Sequence, residues 1–131
     1  MSCFNPQALA EAQSDTFGLQ PLKDSRAYEQ YVKRGDADLS KLIYLIDRFE
    51  EGKFQILYDK LYYNPRIAAT FARWFLKRRY KEQKPKEWVM QWCNASIFTG
   101  SLVWVKLPDG KFRLSRKVLF DELKALEEMN E

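Results

Sequence analysis

Apolar residues recur along this chain with two different periods, and the change from one to the other predicts the architecture. From Asp24 to about Arg34, the residues Ala27, Tyr28, Tyr31 and Val32 fall on one face of a helix that Gly35 stops. Asp38 caps a second helix, in which Leu39, Leu42, Ile43, Ile46 and Phe49 keep helical spacing until Gly52. Residues 53–63 are aromatic enough for a strand. However, Phe54, Leu57, Tyr58, Leu61 and Tyr62 repeat at i, i+3, i+4, i+7 and i+8, which predicts helix. Asn64-Pro65 reads as an N-cap followed by proline at the first helical position, and it opens the longest helix, to about Gln83. Trp74 and Phe75 of that helix are expected in the core. Pro85 starts another helix, with Trp88, Val89, Trp92 and Cys93 facing inward.

After Gly100 the period shortens to two. Leu102–Leu107 alternates, Pro108-Asp109-Gly110 turns, and Lys111–Ser115 alternates again, which predicts a β-hairpin. Val103, Val105, Leu107, Phe112 and Leu114 are expected on its core side. Alternation puts Trp104 with Leu102 and Lys106 on the other side, as a second-layer core residue or an exposed anchor. Ser115 caps a final helix that buries Leu119, Leu123 and Leu126.

The expected fold class is therefore α+β and mainly α: a single small helical domain over residues 24–131, with a C-terminal β-hairpin at 101–115 followed by a final helix. Because an isolated hairpin is marginal, it must lie on the helices. Residues 1–23 form an N-terminal arm, in which Asn5-Pro6 opens a short Ala-rich helical turn over Gln7–Gln13 and a loop follows. With 131 residues, one core needs no metal or disulfide staple.

The chain has no histidine, which removes Ser-His-Asp and Cys-His catalysis, histidine zinc sites and a histidine pH switch. Its two cysteines, Cys3 and Cys93, lie far apart and read as free thiols in a reducing compartment. Asp36-x-Asp38-x-Ser40 imitates the start of a calcium loop, but Lys41 stands where the loop needs glycine. No glycine-rich phosphate loop or nucleophile motif is present. A protein without catalytic residues, cofactor or metal is expected. The longest apolar run, Leu42–Ile46, is far too short for a membrane span, and the first residues do not resemble a leader peptide. A cytoplasmic protein without a membrane partner is expected.

Charge changes the picture further. Residues 64–86 carry eight basic side chains and one acidic, and residues 106–117 carry five and one, within a chain of net +4. At 100° per residue, Arg66, Thr70, Arg73, Lys77, Tyr80, Lys81 and Lys84 share a narrow sector if the helix runs that far, and acidic partners at i+4 are missing. Such a stripe suits phosphate contacts; solubility and cover for an aromatic core are the plain alternative. Lys111, Arg113 and Arg116 extend the basic set if the hairpin packs beside the stripe. The order helix, hairpin with a basic tip, helix over about Leu102–Leu126 resembles the wing of winged-helix DNA-binding domains. That resemblance implies a regulatory DNA-binding module whose hairpin touches a groove. The expected partner is thus nucleic acid, held by Arg66, Arg73, Lys77, Lys81, Lys84, Lys111, Arg113 and Arg116. The alternative is a protein-interaction or adaptor domain whose aromatic and basic surface docks an acidic protein.

Overall fold

Most helix ends sit at the punctuation residues, as seen in the computed structural model, which describes residues 19–130. The expected helical turn at Gln7–Gln13, and Cys3, lie outside the described residues. A 3₁₀ turn, Leu22–Asp24, leads into α1 (Arg26–Arg34), where Ser25 Oγ accepts from the Tyr28 N–H at 3.3 Å. Gly35 closes α1 at φ 100°, a backbone conformation that favours glycine. α2 (Asp38–Glu50) follows directly. Val32 of α1 and Leu39 of α2, expected on buried faces, are exposed. α3 (Pro65–Arg79) opens as expected, with Asn64 Oδ1 accepting from the Ile67 N–H at 2.9 Å. It stops four residues short of Gln83: Tyr80 is extended, and Glu82 takes a left-handed φ of 62°. α4 (Pro85–Trp92) and α5 (Ser115–Met129) complete the helices, Leu114 taking the cap position expected of Ser115.

Residues 53–63 are not a helix. They form β1 (Gln55–Tyr58) and β2 (Leu61–Tyr63), joined by Asp59-Lys60 with φ of 50° and 70°. Two left-handed central residues are what a tight two-residue hairpin turn requires. The helical stripe left out Ile56, yet Ile56 is buried together with Phe54. Tertiary pairing decides the conflict, because β1 also bonds to β3 (Trp104–Lys106), which pairs with β4 (Phe112–Leu114). The result is one antiparallel four-stranded sheet in the order β2-β1-β3-β4. The C-terminal hairpin is half of this sheet rather than a free-standing wing, since β3 is bonded on both edges.

The inner face of the sheet carries Ile56, Val103 and Val105 against Leu19, Phe54, Leu107 and Val118 of α5, with Phe49 of α2 and Ala68 of α3 packed on them. α2 is the hub of the helices, packing against α1, α3, α4 and α5. Its Tyr44 and Leu45 meet Tyr31, Val89, Leu119, Leu123 and Leu126, while Leu42 and Ile46 meet Ala69, Leu76 and Trp88. Arg48, buried at the end of α2, ties distant parts of the chain together. Its Nε donates to Glu122 of α5 at 2.6 Å and its Nη2 to the carbonyl of Gln20 at 2.6 Å. Residues 19–24 are thereby held against the domain, and Leu19 is 4% exposed.

Candidate nucleic-acid interface

A strand sends alternate side chains to opposite faces, so whatever faces away from Ile56 and Val105 forms a second surface. Register places Tyr62, Leu57, Trp104 and Leu114 side by side, one from each strand. In the adjacent row Gln55, Lys106 and Phe112 are paired. None of these residues belongs to a core cluster. Tyr62 and Phe112 are exposed, while Leu57, Trp104, Lys106 and Leu114 are half-buried. Lys106 Nζ lies 5.5 Å from the centre of the Tyr62 ring, a cation–π contact that holds a positive charge in the plane of the platform. Trp104 is therefore an element of this open face and not a second core layer.

The same register corrects the expectation that Phe112 and Leu114 face the core. The turn after Leu107 sets Phe112 opposite Lys106, in phase with Trp104, and Phe112 is 44% exposed. Val103, Val105 and Leu107 do face the core. Leu57 and Tyr62 were placed on a helix face because residues 53–63 read as a helix. The signal was there: Phe54, Ile56 and Tyr58 alternate, and an Asp-Lys pair then separates them from Leu61 and Tyr63.

The predicted basic residues divide into three groups. On α3, Arg66 and Lys77 are exposed and make no ion pair among the described residues. Arg73 is different. Its Nη2 donates to Asp47 at 2.8 Å and to Glu50, both on α2. The missing acidic partners of the stripe come from the neighbouring helix, so Arg73 is a structural tie. The hydrogen bond from Arg73 holds the Glu50 carboxyl below its ordinary range. Lys81 and Lys84 lie past the end of α3 and do not continue the stripe. Lys84 opens α4, its backbone N–H donating to Glu87 at 2.8 Å, with its Nζ 4.0 Å from Asp38.

The third group is on the C-terminal hairpin and the start of α5. Lys111 is exposed beside the turn, where its backbone N–H donates to Asp109 at 2.9 Å. Arg113 is exposed on β4, and Arg116 donates to Asn94 Oδ1 at 2.9 Å. α3 meets the sheet at β1, from which β4 is separated by β3. The hairpin cations are therefore set apart from the α3 stripe, and Lys106 lies in the aromatic platform instead.

Burial pushes the Cys93 thiol up to about 12, which leaves it a poor nucleophile. Among the described residues no cluster of His, Cys, Asp or Glu could hold a metal ion, and no helix is long and apolar enough to cross a membrane. No family model, curated protein or solved structure matches the chain.

Proposed function

We propose that this protein is a non-enzymatic nucleic-acid-binding module whose sheet face takes single-stranded DNA or RNA. The observation that carries this reading is the outer platform: Tyr62, Trp104 and Phe112 on three different strands, with Lys106 among them. Unstacked bases have π-faces that stack on such side chains regardless of sequence, while lysines neutralise the phosphates between them. A duplex presents no free base faces, so the platform favours single strands over duplex. Arg66 and Lys77 on α3 add a more remote basic surface, without Arg73.

The test is a salt-series titration with an oligothymidylate, an unstructured RNA and a random duplex. Single strands should bind more tightly than duplex. Trp104→Ala should weaken binding by about 1–3 kcal/mol, the range for losing one base–aromatic stack. Lys106→Ala should lower the slope of log affinity against log salt by about 0.7. Arg73→Ala should leave that slope unchanged. The reading fails if no oligonucleotide binds at low salt, or if Trp104→Ala and Phe112→Ala bind like the wild type.

A further inference from the structure

On the other side of β1 the molecule has a second, quite different surface. Between α3, α4, the inner face of the first hairpin and the segment 93–98 lies a cavity of about 520 Å³. That is the size of a site for one small organic molecule. Ile56, Tyr58 and Tyr63 form its sheet wall, and Phe71, Trp74 and Phe75 its α3 wall. The cavity opens to solvent at a rim where Trp74 is 49% exposed and Phe98 is 79% exposed. Rim aromatics of this kind are unusual on a surface that has nothing to cover.

Two features of the lining narrow the ligand. Among the described residues no charged side chain lines the cavity, so it offers an ionic group no counter-charge. Two lining side chains nevertheless hold hydrogen-bonding groups without a partner. The indole N–H groups of Trp88 and Trp92 are buried and unpaired. Buried polar groups are nearly always paired, so two unpaired indole donors beside one apolar space are a coherent exception. We propose that the cavity binds an uncharged, lipophilic small molecule that carries a hydrogen-bond acceptor such as a ketone or ester oxygen. The apolar body fills the space between α3 and the sheet, and the acceptor oxygen takes the indole N–H of Trp88 or Trp92. This site lies on the opposite face of the sheet from the oligonucleotide platform.

Three probes of one shape test it on the intact protein: benzophenone, diphenylmethane, which lacks the oxygen, and 4-benzoylbenzoate, which adds a charge. Benzophenone should bind at one site per chain and quench tryptophan fluorescence, because Trp74, Trp88 and Trp92 all line the cavity. Diphenylmethane should bind at least about tenfold more weakly, since it leaves the donors unpaired. The charged analogue should bind more weakly than benzophenone. Irradiation of bound benzophenone should attach it within residues 67–75 or 92–98. Ala72→Phe should fill the space and abolish binding, and if that variant does not fold, the three-probe comparison on wild type decides. Failure of benzophenone to bind, equal affinity of benzophenone and diphenylmethane, a preference for the carboxylate, or attachment on Tyr62 or Phe112 would each overturn the proposal.

Discussion

Two arginines show how burial governs the worth of an ion pair. Arg48 is 4% exposed and holds Glu122 and the Gln20 carbonyl, so Arg48→Ala would leave Glu122 buried without its partner. A loss of about 3–5 kcal/mol in a denaturant titration is expected. Arg73 touches two carboxylates but remains open to water, and Arg73→Ala should cost less than about 1 kcal/mol. Lys60 is a different case, because its φ of 70° strains any residue with a Cβ. Lys60→Gly removes that strain against a gain in unfolded-chain entropy, and a net rise in stability of about 0.5–1 kcal/mol should appear in thermal melts.

Element α3 separates what periodicity can report from what it cannot. Its start was legible, because Asn64-Pro65 acts within one turn of backbone. Its buried face was not. Ile67, Phe71 and Trp74 are apolar and in helical phase, yet all three are exposed, and the expectation that Trp74 lies in the core is wrong. Phe75 is half-buried, stacked on Trp92 with ring centroids 5.2 Å apart. Apolar character shows that a side chain avoids water, but not whether the fold or something else covers it. Trp74→Ala should accordingly cost on the order of 1 kcal/mol, while Leu76→Ala, in the core with Leu42 and Trp88, should cost about 2–5 kcal/mol. Residues 53–63 failed for the complementary reason. Positions 54, 57, 58, 61 and 62 fit a helix by themselves, and only pairing with β3, some fifty residues later, selects the strand. The C-terminal hairpin and the order of mainly helical elements were legible because turn chemistry and a change of period are local signals. The platform was not, since it is assembled from four strands.

At the scale of the whole molecule, acid should loosen the fold at identifiable places. Glu50 is held below its ordinary value chiefly by the hydrogen bond from Arg73. Asp59 is held low by hydrogen bonds from Ser96, at 2.6 Å, and Thr99. A carboxylate with a depressed folded pKa contributes stability that is present above its unfolded pKa and lost as pH falls through the folded one. Stability should thus be flat near neutrality and decline below about pH 4.5, where an unfolded glutamate begins to take up protons. Asp59→Asn should make that decline shallower in urea titrations at pH 3 and pH 6. A decline no shallower than that of the wild type would contradict the assignment.

β1 is only four residues long, yet it borders two compartments. Leu57 points to the open platform, and Ile56 and Tyr58 line the cavity. One strand is thus a partition with a different chemistry on each side, and it cannot shift or twist for one occupant without shifting for the other. Linkage makes any such coupling symmetrical: whatever factor a lipophile in the cavity imposes on oligonucleotide affinity, the oligonucleotide must impose on the lipophile.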